Sequence, residues 1–364
     1  MGRKRGIDIT CKHFSKCSGC EFENAVDYPP IARSAADFFS QKLGLKHFQI
    51  HMKTAHAWRT QAKLAVRRGK KGGVEIGLFE AGSHRLVEIP DCEVHHPSIN
   101  EAVRFLKAAT KAARISGYDE KSCRGQLRYV QMAVQRHTGK VQVSLVWNSD
   151  DGRDPGLDRL IKILQKSEFG GGKLWHSIWV NLNSGRSNVI FDYNPDRWKR
   201  MFGKEHLLER IGFESPSRQI KKKKLPFYFS PMVFRQGNLD GFERILESID
   251  AFVPDGARIC ELYGGIGTIG LQYIDRATWL RFSDASPFLE RCAKKGVLEG
   301  LDSNLRRRVA FRAVDASSAL QGGQALGADV MIVDPPRKGL DEYVLECLGN
   351  RSSGSPCKGD WRAG

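Results

Sequence analysis

The chain has 364 residues, too many for one small core, and 58 Lys and Arg face 41 Asp and Glu for a formal net charge of +17. Two domains, or one with a large insertion, are expected, and the charge points to a polyanionic partner, nucleic acid first, although excess charge also serves dispersal alone. No apolar run is long enough for a signal peptide or a membrane-spanning helix, and nine cysteines, an odd number, exclude a simple disulfide framework. An intracellular protein follows, cytoplasmic or in an organelle such as the chloroplast, although the basic start MGRKRGIDIT is too short and serine-poor for a targeting peptide.

The first feature in chain order is CKHFSKCSGCEFE, where Cys11, Cys17 and Cys20 stand at C-x5-C-x2-C spacing. Three thiolates make an incomplete metal site. From Gln61 to about Glu88 apolar and polar residues alternate around Lys-Gly-Gly and Ala-Gly-Ser turns, which predicts antiparallel strands. INEAVRFLKAATKAARI carries apolar residues at helical spacing with basic residues opposite. LRYVQMAVQRHTGKVQVSLVWN predicts two strands joined at His137-Thr138-Gly139, and SIWVNLNSGRSNVIF two more joined at Asn183-Ser184-Gly185. Residues 1–224 are therefore expected to form an α+β module ending at the run Lys221 to Lys224.

Beyond it the pattern changes. ARICELY, WLRFSDA, VAFRAVDA and DVMIVDPP read as strands alternating with helix-like segments, the signature of a parallel sheet with crossover helices over 225–349. Residues 350–364 have no periodicity and read as a loose tail. ICELYGGIGTIGL sets Gly264, Gly265, Gly267 and Gly270 between a strand-like and a helix-like run, where glycines permit a tight turn and close approach of a ligand. Gly265, Gly267 and Gly270 spell G-x-G-x-x-G, so an NAD-dependent oxidoreductase is one alternative. Asp284, Asp315 and Asp334 then close the next three strands, and a carboxylate at Asp284 suits the ribose of either adenosine cofactor.

An acidic residue ending each successive strand, with Asp334-Pro335-Pro336 on the fourth, resembles the class I methyltransferases that bind S-adenosylmethionine. Arg337 stands where methyltransferases acting on exocyclic nitrogens carry an aromatic residue. DPPRKGL, FYFSPMVFRQGN and the opening cysteine segment, in that arrangement over nearly the whole chain, are similar to the RNA uracil-C5 methyltransferase family. The resemblance implies a Rossmann-like domain after the α+β module and tRNA or rRNA as partner; the lack of a long apolar run argues against a membrane, and the oligomeric state stays open, with a monomer expected. It places S-adenosylmethionine against Gln236, Glu261, Tyr263, Gly264, Gly265, Gly267, Asp284, Asp315 and Asp334, with Asp284 on the ribose, Asp315 on the adenine amino group, and Gly264 to Gly267 at the methionine end.

The resemblance also supplies a fourth thiolate. Cys92, in EIPDCEVHHPSIN, matches the family position that joins Cys11, Cys17 and Cys20 on a [4Fe-4S] cluster, and it stands among turn residues after a strand, whereas Cys123, Cys260 and Cys292 suit packing or other roles. Zinc is the alternative, with His95 or His96 available, although two histidines before Pro97 also read simply as surface loop residues. The cluster's implied role is structural.

Uracil C5 becomes nucleophilic once a cysteine thiolate adds at C6, and a base later removes the C5 proton. The family carries that cysteine on a strand beyond Asp-Pro-Pro and a glutamate base beyond that. Here only DEYVLECLGN and the tail follow, so the sheet is expected to lack its last strands. Cys347 reads as a packing residue and Cys357 has no strand to hold it, leaving the nucleophile unassigned. The alternative is a catalytically dead RNA-binding protein or truncated isoform. Lys221 to Lys224 and the turn from Arg67 to Lys71 are candidate phosphate contacts.

Overall fold

The computed structural model describes residues 7–69, 73–186, 189–215 and 220–349, with the backbone alone at 220–223. Cα packing divides the chain into two compact units, one of residues 1–205 and 236–241 and another of 206–235 and 242–364.

In the first unit, α1 (Pro30–Leu43) buries no residue and ends at Gly44, whose φ of 65° suits a left-handed cap. The unit is built on a seven-stranded mixed sheet. Its strands are β1 (Gln61–Arg68), β2 (Val74–Phe79), β3 (Leu86–Glu88), β4 (Leu127–Val134), β5 (Val141–Trp147), β8 (Trp175–Leu182) and β9 (Trp198–Gly203), in the order β3-β2-β1-β4-β5-β8-β9. The short hairpin β6 (Glu168–Phe169) and β7 (Gly172–Lys173) lies apart from that sheet. Helices α2 (Pro97–Ala112) and α3 (Pro155–Leu164) supply Ile99, Val103, Leu106, Leu157 and Leu160 to the core beneath Leu64, Val66, Met132 and Leu145. The spacing i, i+4, i+7 puts Ile99, Val103 and Leu106 on one helical face, and burying each such side chain contributes about 1.5–3 kcal/mol.

Both helices start on a cap. Nδ1 of His96 accepts from Ser98 N at 3.2 Å, and Asp154 accepts from Gly156 N at 2.7 Å. Thus neither adjacent histidine is the loose surface residue expected, since His96 closes a helix end and His95 is 5% exposed. Strands β5 and β8 run parallel, which the crossover through α3 permits, and all eight residues of β8 are buried.

The first three expected strands and the β4–β5 pair form as read. The return strand expected after the Asn183-Ser184-Gly185 turn does not form at Val189 to Phe191: β8 pairs instead with β9. The side chains of Asn181 and Asn183 explain this, because they take over the backbone of the segment, donating to the carbonyls of Asp192, Val189 and Ile190. Arg67 is also reassigned. It is 8% exposed, donates to the Val66 and Arg128 carbonyls, pairs with Glu120, and lies over the rings of Phe79 and Tyr129, so it holds the sheet rather than a phosphate. Lys70 and Lys71 lie outside the described residues.

The second unit opens with the antiparallel pair β10 (Leu207–Ser215) and β11 (Ile220–Phe229). The boundary expected at 224 falls inside β11, because that strand's ladder with β10 and its packing against α5 (Leu289–Gly300) carry both hairpin strands into this unit. Lys221 to Lys224 accordingly sit on a strand and not on a flexible tip. Beneath Phe229, Glu209 and Arg235 pair at 2.6 Å with 2% of each side chain exposed. Helix α4 (Leu239–Asp250) leads to a four-stranded parallel sheet of β12 (Arg258–Leu262), β13 (Trp279–Ser283), β14 (Val309–Arg312) and β15 (Val330–Val333), ordered β14-β13-β12-β15. Helices α5, α6 (Ser303–Arg306) and α7 (Ala316–Gln321) separate the later strands, and α8 (Glu342–Gly349) buries Val344 and Cys347. Strand–helix alternation thus yields the parallel sheet expected.

Candidate functional site

In the second unit, parallel register brings the ends of three strands level: Glu261 pairs with Phe282 and Ile332, and Leu262 with Val333. Tyr263 to Gly265, Asp284 and Asp334 therefore emerge side by side at the strand C-termini, where open parallel sheets bind ligands. The turn after β12 is built from left-handed residues, Tyr263 at φ 56°, Gly265 at 59° and Gly267 at 80°. It is closed by hydrogen bonds from Gly264 N to Ser283 O at 2.9 Å and from Gly267 N to Gly264 O at 2.8 Å. Asp284 is held from both sides, accepting from Gly265 N at 3.1 Å and Ser286 N at 3.0 Å.

Glu261 lies under this turn, 1% exposed. Its Oε2 accepts from Gly270 N at 3.0 Å, and Oε1 is buried without a partner. A Cβ at Gly270 would come within 2.5 Å of that Oε2, and one at Gly264 within 3.0 Å of the Glu261 side chain. Two of the four glycines are therefore needed to seat a carboxylate, beyond any approach of a ligand. Burial pushes the Glu261 carboxyl up to about 8, with the charges of Asp334 and Asp284 adding to the effect. Asp334 is surface-exposed, yet protein around it still raises its pKa through partial burial. Burial likewise raises the Tyr263 phenol, whose buried hydroxyl has no partner.

No α-helix follows the glycine turn. The segment instead coils into turns and a short 3-10 helix, Gly270–Tyr273, all four residues of it buried. The site thus has no helix N-terminus to receive a pyrophosphate and has carboxylates in its place, so the dinucleotide alternative loses its physical basis.

Other expected site residues stand differently. Both carboxylate oxygens of Asp315 accept from Ser318, through its N–H at 2.8 Å and hydroxyl at 2.7 Å, which caps α7 and holds the Asp315 pKa low. Gln236 belongs to the first unit, next to Gly237, whose carbonyl accepts from the backbone N–H of Thr60 at 2.8 Å and from its hydroxyl at 3.0 Å. Cys260, Cys292 and Cys347 are at most 3% exposed and serve as core, and Cys357 lies outside the described residues. Sequence reading missed Gln324. It is fully buried, and its Nε2 donates to Glu261 O and to Ser283 Oγ, both at 3.1 Å, tying the ends of β12 and β13 together.

In the first unit, Cys11, Cys17, Cys20 and Cys92 are electrostatic neighbours. Burial, then mutual repulsion, raises the thiol pKa values of Cys20, Cys17 and Cys92. Backbone N–H groups point at two of the sulfurs: Gly19 N reaches Cys17 Sγ at 3.3 Å, and Val94 and His95 favour the Cys92 thiolate. Cys92 packs against both the main core and the small cluster of Ile9, Ala55 and Val94. Among the described residues, however, no three or more His, Cys, Asp or Glu side chains converge closely enough to hold a metal ion. Burial lowers the His95 pKa to about 4, with Arg59 adding to the effect.

No family model matches the chain. An RNA methyltransferase of Protochlamydia amoebophila, described as uncharacterized, is 35% identical over 345 residues, which are 94% of this chain and 84% of the relative. Another, from Halalkalibacterium halodurans, is 28% identical over 358 residues, 94% and 72% of the respective chains. Among solved structures, the tRNA (uracil-54, C5)-methyltransferase of Pyrococcus abyssi, in complex with S-adenosyl-L-homocysteine, matches in fold with a TM-score of 0.69 at 22% identity, over 93% of this chain and 74% of that one. With a class I methyltransferase sheet ending in a glycine turn and a row of carboxylates, and with that extent of shared sequence, the chain belongs to the RNA methyltransferase family.

Proposed function

We propose that the chain binds S-adenosylmethionine at the strand ends of its second unit and is of the RNA uracil-C5 methyltransferase type, with tRNA or rRNA as partner. The observation that carries the cofactor reading is the pair of carboxylates Asp284 and Asp334 at the strand ends above the buried, proton-holding carboxyl of Glu261, none with a basic partner among the described residues, at a turn without a following α-helix. Such a site repels a pyrophosphate and suits a ligand carrying an ammonium and a sulfonium. Asp284, held by two backbone N–H groups, keeps oxygen lone pairs for ribose hydroxyls. Gly264 to Gly267 admit the amino-acid end, and Glu261 faces its positive charge. Tyr263 and Asp315 border the site, Gln236 is kept as a cofactor contact on the motif alone, and Asp334 stands at the base-binding motif. When bound, the cofactor supplies an electrophilic methyl group. Calorimetry with S-adenosylhomocysteine and with NAD compares the two adenosine ligands, and preference for NAD would overturn the reading.

Transfer to uracil C5 needs a thiolate presented to the base. Among the described cysteines of the second unit, Cys260, Cys292 and Cys347 are all core residues, and Cys123 is half-buried in the first unit, so none of these is presented to a base and the chain is expected to bind cofactor and RNA without methylating uracil. Labelled methyl transfer to bulk tRNA and rRNA tests this. Robust incorporation that disappears in Cys347→Ser or Cys357→Ser would reverse it.

Cys11, Cys17, Cys20 and Cys92 form the proposed metal site. The ligand set rests on the cysteine spacing, since, among the described residues, the four thiols do not converge on one ion; soft donors with backbone N–H groups aimed at two sulfurs suit a centre of the [4Fe-4S] kind, with zinc the other metal of matching softness. Its contribution would be structural, joining the amino-terminal segment to the turn at Cys92. Iron, sulfide and zinc analysis after anaerobic purification separates the two, since stoichiometric zinc without sulfide excludes the cluster.

A further inference from the structure

At one end of the large sheet of the first unit, cations gather without an acid. Parallel strands β5 and β8 start side by side, with Val141 paired to Trp175, and antiparallel β9 finishes beside them, with Ser177 paired to Gly203. The β4–β5 turn therefore brings His137 and Lys140, the start of β8 brings His176, and the residue after β9 brings Lys204 to the same end. His137, Lys140 and Lys204 are exposed, and neither lysine forms an ion pair among the described residues.

The buried member of the set is His176, 9% exposed. Its Nδ1 meets Ser177 Oγ at 3.1 Å, and that oxygen accepts from Gln142 Nε2 at 3.3 Å. The serine hydrogen is left for Nδ1, which puts the imidazole proton on Nε2. Nε2 has no partner among the described residues, yet it is not sealed from solvent. Burial, then the charges of Lys204, Lys140 and His137, lower the His176 pKa to about 4, and no carboxylate is among the groups acting on the ring. An outward N–H donor flanked by two ammonium groups and a second imidazole is an uncompensated positive set, which an anion relieves.

We propose that His176 Nε2, Lys140, Lys204 and His137 form a site for a backbone phosphate of the RNA, the buried imidazole donating one directed hydrogen bond while the two ammonium groups neutralise the charge. Ser177 and Gln142 fix the ring and its tautomer from within the sheet. Such a contact sets where the strand runs and reads no base. The inference rests on the RNA methyltransferase reading for the source of the phosphate, since inorganic phosphate presents the same oxygens.

The intact, metal-replete chain is titrated with labelled bulk tRNA at several salt concentrations, beside Lys140→Gln/Lys204→Gln and a control for net charge, Lys162→Gln/Lys166→Gln, whose lysines are exposed on and just after α3. Each phosphate contact contributes about 0.7–0.9 to the slope of log affinity against log salt, so the site variant should lose about one to two in slope and about tenfold in affinity near 100 mM salt. The control should stay within about twofold, because exposed charges away from the strand are screened. His176→Phe should also weaken RNA, and His176→Gln, which keeps an amide donor, should restore it, with the unfolding midpoint reporting on the fold of both. Equal losses in the two lysine variants assign the effect to net charge and overturn the site, with the methyltransferase reading untouched. Saturable binding of inorganic phosphate at constant ionic strength, lost in Lys140→Gln/Lys204→Gln while RNA binding is kept, would make this a free-anion site and reverse the proposal. A native chain that binds no RNA sinks both readings.

Discussion

Glu261 holds a proton in the folded chain that the unfolded chain gives up. Its carboxyl titrates near 8 rather than at the ordinary 4.5, so its contribution to stability is whole below about 4.5 and is lost as pH rises through about 8. Thermal unfolding of the ligand-free chain should therefore show a midpoint that falls between those values, and Glu261→Gln should flatten that limb. A cationic ligand that draws out the carboxylate must release the proton. Calorimetry of S-adenosylhomocysteine in buffers of different ionisation heat should detect that release near neutrality, and Glu261→Gln should abolish it. Asp284→Ala should weaken the same ligand by about 10- to 100-fold, since it removes an anionic acceptor aimed by two N–H groups; unchanged affinity would remove Asp284 from the site. At this scale the position of Asp284 at a strand end was legible, because a carboxylate just past an apolar run is a pattern. Gln324 was not, since a glutamine after two glycines gives no sign that it will be buried across two strand ends.

Elements read well where periodicity had no local rival. Alternation placed β1, β2 and the β4–β5 pair, and helical spacing placed α2, because buried faces enforce those periods. The return strand after β8 failed because two asparagine side chains competed for its backbone, and the helix after the glycine turn failed because Glu261 takes the Gly270 N–H that would start it. A strand-level test lies at Gly77, which faces Glu88 across the β2–β3 ladder. A Cβ there would sit 1.9 Å from the Val87 carbonyl oxygen, so Gly77→Ala must part the two strands, whereas Gly172 has open space around it. Denaturant unfolding should show a loss of about 1–3 kcal/mol for Gly77→Ala and about none for Gly172→Ala.

For the whole molecule, the α+β then α/β division was legible from the change in pattern, but its boundary was not, because a lysine-rich run looks like a linker even when it is a strand. Cys92 packs against two apolar clusters, and, because losing any one of four ligands opens a metal site, Cys92→Ser should release metal as completely as Cys17→Ser, read as iron or zinc per chain after desalting; retained metal would mean a different fourth ligand. The charge of +17 predicts a steep response of RNA binding to salt. With about five phosphate contacts to single-stranded RNA, affinity should drop about a hundredfold between roughly 50 and 200 mM salt. A flat dependence would assign the charge to dispersal.

The short return of residues 236–241 to the first unit bears on how the chain is born. The β1 entrance is closed by Thr60 on Gly237, and Asp240 receives Arg136 and Lys53, so that unit lacks a piece of itself until about 240 residues have been made. By then the β10–β11 hairpin has already emerged, with α5, on which it packs, still untranslated. On the ribosome the first unit must wait while a two-stranded ribbon of its successor stands uncovered, and a released chain ending at 205 should be more open to protease at β1 than one ending at 241.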